Sequence, residues 1–177
     1  MWQKTLKLVP ISILNGILLG IFGATAAHYF RAGIHFIEQF VSDRFDNANR
    51  FVLFFCSLST AIFVISLIKV KCSVIRWHGP SDTIFAAHRV DNELDIKSGV
   101  ASTLAAFFSA AGGASVGQYG PLVHFGATLG SWLKAILKLH ISTDIVLGGG
   151  VAAAISAGFS APLTGKILPM RLYYAIF

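Results

Sequence analysis

Charged residues are missing from long stretches of the chain, and polar residues separate these stretches at only a few points. Leu8–Phe30 and Phe51–Ile68 contain no Asp, Glu, Lys or Arg. Each run is close to the length of about 20 apolar residues with which a helix crosses a bilayer. We expect one helix from about Pro10, which suits a first helical turn because it has no N–H, to about Phe40. A second helix is expected over Phe51–Val70.

A third charge-free run, Ser98–Leu133, is too long for one crossing and too short for two crossings with a loop. We therefore expect a break inside the membrane. From Gly99 onward Ala, Gly and Ser dominate, and these small residues let membrane helices approach closely. Between the second and third runs, a short helix is expected over Thr83–His88, with Ser81 or Asp82 as its N-terminal cap.

The same local pattern occurs twice in this small-residue region. Residues 117–122 read GQYGPL and residues 158–163 read GFSAPL, each with a proline placed to begin a new helix. Irregular backbone is tolerated at membrane depth only where it is buried or lines a cavity. The repeats therefore predict two breaks between half-helices. The alternative is that Gly113 and Gly117 form a helix-packing motif and that Pro121 only kinks a continuous helix.

Composition points to a membrane protein. Of the 177 residues, 55% are hydrophobic and 12% charged, and mean hydropathy is +0.70. The net charge of +6 comes from Lys and Arg at the ends of apolar runs, which favours a topology signal over a nucleic-acid partner. Lys4 and Lys7 indicate a cytoplasmic N-terminus. The histidines show no paired metal-ligand spacing and no catalytic constellation, so we expect no metal, no cofactor and no enzyme.

The first predicted break has the chemistry of an anion site. A helix that begins at Gly120–Pro121 presents free backbone N–H groups and the positive end of its dipole to residues 117–119. Glycines at 112, 113, 117 and 120 leave room for close approach, and Ser115 adds a hydroxyl without a fixed charge. Partial charges suit a permeant anion, because a buried lysine would hold it too strongly for release.

Two segments make the chain resemble a known family. Residues 112–130, GGASVGQYGPLVHFGATLG, resemble the CLC chloride channel signature, and residues 149–165, GGVAAAISAGFSAPLTG, resemble a later stretch of the same proteins. The resemblance implies an all-α polytopic membrane protein, in which residues 1–177 form a single transmembrane domain. This domain would be the first inverted repeat of a CLC-like fold with broken half-helices.

The resemblance also implies partners and site residues. It implies chloride as the permeant ion, a lipid bilayer as the surroundings, a homodimer as the complete assembly, and a multi-pass location in a bacterial inner membrane. His78 or, after a local shift, Ser81 would replace the serine that touches the central ion. The residues that would form the outer anion site are Gly117, Gln118, Tyr119, Gly120 and Pro121. Those of the second break are Ser160, Ala161 and Pro162.

Tyr119 stands where the family has its gating glutamate. A carboxylate there competes with chloride and carries a proton, whereas a tyrosine with a reference pKa of about 10 stays neutral. The resemblance thus implies passive chloride conduction without proton coupling, with an interfacial aromatic anchor as the alternative role for Tyr119. His124 follows Gly120 by one helical turn and either lines the vestibule or packs as a neutral side chain.

The second half of the family's pore has no counterpart in this sequence. In addition, residues 166–177 depart from the apolar continuation that the family shows, and synonymous codons can be chosen for which a shifted reading frame gives a CLC-like string. We therefore expect a truncated chain whose final residues are out of frame. The alternative function is a non-conducting membrane fragment.

Overall fold

Six α-helices make up the part of the chain that the structure, a computed structural model, describes. The described residues are 2–44, 49–89, 94–115, 117, 119–137, 141–161 and 167. Side chains are described from residue 13 onward, except for that of Tyr119. The all-helical fold predicted from sequence is confirmed over these ranges. Gln118, Pro162 and most of the tail at 166–177 lie outside them. The helices are α1 (Trp2–Arg44), α2 (Arg50–Lys71), α3 (Pro80–His88), α4 (Ile96–Ala111), α5 (Tyr119–Leu137) and α6 (Thr143–Phe159).

The two long helices follow the first two apolar runs. Helix α2 exceeds its predicted range by one residue at each end, and its N-cap, Asn49, accepts the Phe51 N–H at 3.0 Å. For α1 the prediction of a start near Pro10 was wrong, because the helix already begins at Trp2. A proline inside a membrane helix is tolerated at the loss of one backbone hydrogen bond. Within the described residues, α1 from Ile13 and all of α2 are long and apolar enough to cross a bilayer.

Helix α3 starts earlier than the sequence predicted. Gly79 is the N-cap and Pro80 the first helical residue, so neither Ser81 nor Asp82 occupies the cap position. Proline suits this first position because its fixed φ is already helical and no N–H is needed there. The Asp82 side chain still serves the helix start, since its Oδ2 accepts the Gly79 N–H at 2.8 Å from within the first turn.

The third apolar run is broken as predicted. Helix α4 ends at Ala111, Gly113 follows with a φ of +87° that favours glycine, and α5 begins at Tyr119. A continuous helix kinked at Pro121 is therefore excluded. At the second pattern, α6 ends at Phe159 and Ser160 adopts the left-handed conformation with φ 52° and ψ 33°. The helix expected to begin at Pro162 lies outside the described residues.

Helices α5 and α6 form the closest contact of the fold. A Cβ on Gly126 would lie 2.3 Å from the carbonyl oxygen of Gly150, and a Cβ on Gly150 would lie 2.1 Å from that of Gly126. The two backbones therefore touch at a crossing that only glycine permits on both sides. Helix α1 packs across α6, where Gly23 faces Ala153 and the Arg31 Nη1 donates to the Gly158 carbonyl at 3.0 Å.

Helix α2 lies at the edge of the bundle. It contacts α4, where Gly112 leaves room for Ala61 and Ser57 donates to the Gly112 carbonyl at 3.1 Å. Most of its apolar side chains are exposed; they include Phe51, Val52, Phe54, Phe55, Ile62, Phe63, Leu67 and Val70. A surface so apolar is not stable in water, so α2 is a membrane helix.

Candidate functional site: a cavity at the start of α5

A cavity of about 130 Å³ lies where the beginnings of α3 and α5 meet the middle of α4. Its walls combine small, hydroxyl and imidazole side chains. Of the residues that line it, none carries a carboxylate, ammonium or guanidinium group. The lining residues are His78, Gly79, Pro80, Ser102, Thr103, Ala106, Gly120, Pro121 and His124.

The connection before α3 is held against α4 by one hydrogen bond from the backbone. The N–H of His78 donates to Ser102 Oγ at 2.8 Å, although the two residues are 24 positions apart in the chain. On the other side, Asp82 accepts the Gly79 N–H and pairs with Arg76. These contacts fix the position of the His78–Pro80 segment relative to the cavity.

His124 lies on α5 one turn after Gly120 and is 1% exposed. Thr128 Oγ1 lies within hydrogen-bond distance of two atoms of His124, at 3.2 Å from Nδ1 and at 2.9 Å from the carbonyl oxygen. A hydroxyl can donate to one of them and accept from Nδ1–H, so Thr128 engages Nδ1 in either neutral tautomer of the ring. Among the described residues, Nε2 has no hydrogen-bond partner.

The second imidazole of the cavity faces the first. The ring centroids of His78 and His124 are 5.7 Å apart and the ring planes are inclined by 61°. Like Nε2 of His124, Nδ1 of His78 is buried without a partner in the part of the chain that the structure describes. A buried polar atom without a partner is costly unless a ligand or a water satisfies it. The two rings therefore present unused hydrogen-bonding capacity to the cavity.

The structure brings together some of the residues predicted from sequence and separates others. Gly120, Pro121 and His78 line one cavity, whereas Ser81 is exposed and does not line it. Gly117 is exposed. Tyr119 begins α5, its side chain lies outside the described residues, and Gln118 lies wholly outside them. Ser160 and Ala161, at the end of α6, do not line this cavity either.

Sequence reasoning missed the contribution of α4. Ser102 and Thr103 line the cavity from the buried side of this helix, and both are almost fully buried. Hydroxyl residues inside an otherwise apolar run give a weak signal, because serine and threonine also satisfy their own helix, as Thr103 does by donating to the Gly99 carbonyl. The long-range bond from Ser102 to His78 could be recognised only from the packing.

The chemistry of the cavity is that of partial charges. The first turn of α5 has backbone N–H groups without partners in the helix, Ser102 has a hydroxyl proton that its bond to His78 leaves free, and two imidazoles can each donate or accept. The cavity therefore suits a small ligand that accepts hydrogen bonds and must be released again.

At the start of α4, outside the membrane helices, the side-chain hydrogen bond from Ser98 holds the pKa of Asp95 below its usual value.

Comparison with known proteins agrees with the geometry. A sequence model described as "Voltage gated chloride channel" matches residues 61–174, more than half of the chain and all of the cavity's lining. A protein of Ralstonia nicotianae described as a ClcB-like chloride channel protein is 27% identical over 101 residues. That match covers 54% of this chain and 24% of the relative, so the matched segment spans about a quarter of the relative's length.

Proposed function

The chain belongs to the voltage-gated chloride channel family, and on this basis we propose that it forms one wall of a chloride pathway through a bacterial inner membrane. Conduction is passive and channel-like, and it requires the complementary repeat of a complete protein. The observation that most directly supports this proposal is the cavity at the start of α5, whose lining has hydrogen-bond donors and no fixed charge.

The binding mode follows from the cavity's lining. Chloride accepts hydrogen bonds and prefers the positive end of a helix, and the first turn of α5 provides both at the cavity wall, where Gly120 has a backbone N–H and Pro121 has none. Ser102 adds a hydroxyl proton, and His78 occupies the place proposed for the central serine of the family. The outer part of the site is assigned to the backbone from Gly117 to Gly120.

The absence of proton coupling rests on Tyr119. This residue begins α5 at the position where the family resemblance places a gating glutamate. A phenol stays neutral over the physiological range, so it neither competes with chloride as an anion nor exchanges a proton at this point. Tyr119 is therefore proposed as a neutral gate or lining group.

The proposal also assigns the other walls of the pathway. Helix α2 presents an apolar surface that suits lipid, while the opposite wall is assigned to a second repeat and the complete protein to a homodimer. The second break, at Ser160, Ala161 and Pro162, is proposed to shape the inner end of the pathway. In this scheme residues 1–177 form a single transmembrane domain.

Chloride efflux from proteoliposomes tests the proposal. The chain is reconstituted alone and together with a complementary C-terminal repeat taken from a family member. Gly120 lines the cavity, and a Cβ added to it would lie 3.8 Å from Pro80. The larger side chain of Gly120→Leu would enter the cavity, so this substitution should abolish flux. Gly16→Leu is the matched control, since nothing lies within 4 Å of a Cβ there. Flux that survives Gly120→Leu would contradict the assignment.

The second candidate function is a non-conducting membrane fragment. In that case the chain inserts and cross-links to a partner, but the reconstituted pair passes no chloride at any membrane potential. Proton movement in fixed ratio to chloride would instead overturn the passive mechanism.

A further inference from the structure

The connection between α2 and α3, residues 72–79, is held by backbone hydrogen bonds at both ends. At its start, the Val74 N–H donates to the Lys69 carbonyl at 3.0 Å. Ser73, just before Val74, has a φ of 52°, the left-handed conformation with which helices commonly end. At the other end, the N–H of His78 attaches the connection to α4. The backbone between Val74 and His78 is therefore fixed in position.

Two large apolar side chains on this fixed backbone are exposed. Val74 is buried, but the next side chain, that of Ile75, is 99% exposed, and Trp77 is 37% exposed. Apolar area of this kind is stabilised when a partner removes it from water. Tryptophan is enriched at membrane interfaces, because its ring is apolar and its N–H is polar. We call Ile75 and Trp77 the apolar tip of the connection.

Helix α2 brings the apolar tip to the depth of the lipid headgroups. The helix has 22 residues and is therefore about 33 Å long, while the hydrocarbon core of a bilayer is about 30 Å thick. Arg50 begins α2, and Lys69 and Lys71 lie in its last turn. Since charges lie at both ends of an apolar helix that spans the core, the connection after Lys71 lies at one headgroup layer.

Three cations accompany the apolar tip. Lys69 and Lys71 are exposed, and neither forms an ion pair with another of the described residues. The side chain of Arg76 is 73% exposed, and Asp82 engages it through Nη2. The other N–H groups of this guanidinium remain available, and a guanidinium matches the geometry of a phosphate. The connection thus combines apolar side chains with positive charge.

We propose that the α2–α3 connection binds an anionic phospholipid, whose headgroup is held by Lys69, Lys71 and Arg76 while Ile75 and Trp77 enter the adjoining acyl region. Cations beside a membrane helix attract anionic headgroups. A soluble polyanion such as a nucleic acid would leave Ile75 in water, so the apolar tip favours a lipid. The inference goes beyond the proposed function and does not depend on it, since the lipid binds whether or not the chain conducts chloride.

The lipid site and the cavity at the start of α5 share one carboxylate. Asp82 engages Arg76 through Oδ1 and accepts the Gly79 N–H through Oδ2 at 2.8 Å. Gly79 in turn lines the cavity. The cation that meets the headgroup is therefore joined to the cavity wall through a single side chain.

Quenching of tryptophan fluorescence by brominated lipids tests the inference. The chain has three tryptophans, so Trp2→Phe with Trp132→Phe leaves Trp77 as the reporter. This full-length chain is reconstituted in phosphatidylcholine vesicles that contain a small fraction of brominated phosphatidylglycerol or, in parallel, of brominated phosphatidylcholine. Both lipids have a phosphate, but only phosphatidylglycerol has a net charge. The affinity for phosphatidylglycerol relative to phosphatidylcholine should be at least about tenfold, which is less than three independent cations would give.

Variants connect this preference to the cations. Lys69→Gln with Lys71→Gln changes only exposed positions and should lower the relative affinity by at least about fivefold. Arg50→Gln is the matched control, because it removes an exposed cation from the opposite end of the same helix and should leave the preference unchanged. A chain with Trp132 on α5 as its only tryptophan should show no such preference. Raised salt should weaken the preference of the Trp77 reporter, because it screens exposed charges.

The outcomes decide the inference without any measurement of chloride. Equal quenching of Trp77 by the two lipids would overturn it, and so would the absence of quenching by either lipid, since the connection would then lie away from the bilayer. A preference that survives Lys69→Gln with Lys71→Gln, or that Arg50→Gln weakens equally, would show that these cations do not hold the headgroup. The lipid site can therefore fail while the proposed function stands, and the reverse.

Discussion

The backbone N–H of His78 donates to Ser102 Oγ at 2.8 Å and so joins the connection before α3 to the middle of α4. This bond fixes the backbone of His78 beside the cavity that the residue lines. It also uses Ser102 as an acceptor, which leaves the hydroxyl proton available to the cavity. One side chain thus has a structural and a binding role at the same place.

Ser102→Ala should weaken both roles. The variant leaves the partly buried His78 N–H without its acceptor, which costs about 1–3 kcal/mol in the free energy of unfolding, and it removes one donor from the cavity. A lower thermal midpoint in detergent and a weaker chloride affinity are expected. Ser59→Ala is the control, because Ser59 is exposed on α2 and donates only to the Phe55 carbonyl of its own helix. Equal effects of the two substitutions would contradict the role of Ser102.

Gly150→Ala should separate α5 from α6. The added methyl group would lie 2.1 Å from the carbonyl oxygen of Gly126, and backbone on both sides leaves no side chain that can move away. We expect a loss of roughly 1–3 kcal/mol of stability, as for overpacked cores. Gly148→Ala on the same helix meets nothing within 4 Å and should be neutral or stabilising by up to about 1 kcal/mol, because alanine favours helix. Thermal unfolding followed by circular dichroism distinguishes the two.

The sequence predicted the parts of this fold that depend on local chemistry. Charge-free runs gave the long helices, and the glycines with Pro121 gave the break between α4 and α5, because uncharged length and backbone freedom are properties of consecutive residues. The start of α3 was misplaced since Asp82 acts from inside the first turn, where a side chain can reach back to the Gly79 N–H. Sequence position alone does not distinguish that geometry from a true cap.

The site was predictable only where it coincides with the break. Gly120 and Pro121, which the sequence assigned to the outer site, line one cavity with His78, which it assigned to the central site, whereas the alternative Ser81 is exposed. The approach of the His78 ring to that of His124, with centroids 5.7 Å apart, depends on how α5 packs beside the connection before α3, which residue type does not determine. Contacts between distant segments, such as His78 with Ser102, depend on packing and have no periodic signal.

Asp95 should make the start of α4 sensitive to acid. Its carboxylate accepts from the Ser98 hydroxyl and from the Lys97 N–H at 3.0 Å, and the Ser98 bond is the main reason that its pKa lies below the ordinary value of an aspartate. A lowered folded-state pKa means that the stabilisation is fully present above the unfolded-state value and is lost as pH falls through the folded-state value.

Asp95→Asn tests this dependence. Asparagine is also a good N-cap, so stability near neutral pH should change little, while the loss of stability below about pH 4 should become shallower. The thermal midpoint measured over that acidic range gives the comparison, with Asp144→Asn as control at the start of α6. An unchanged acid response in Asp95→Asn would show that other carboxylates dominate it.

Tyr119→Glu should restore an anionic competitor at the start of α5. Glutamate has a reference pKa of about 4.3, so near neutral pH its charge would occupy the position that we assign to chloride, at the positive end of the helix. Electrostatic attraction of about 1–2 kcal/mol there corresponds to a loss of chloride affinity of about 5- to 30-fold. Tyr119→Gln has nearly the same shape without the charge and should behave like the wild-type residue. Chloride efflux from proteoliposomes containing the complementary repeat should therefore be lower for Tyr119→Glu than for Tyr119→Gln at neutral pH, and the difference should shrink as pH falls below about 4, because protonation then removes the carboxylate charge. If the two variants conduct equally at every pH, residue 119 does not face the anion and the assignment of the outer site to the start of α5 is wrong.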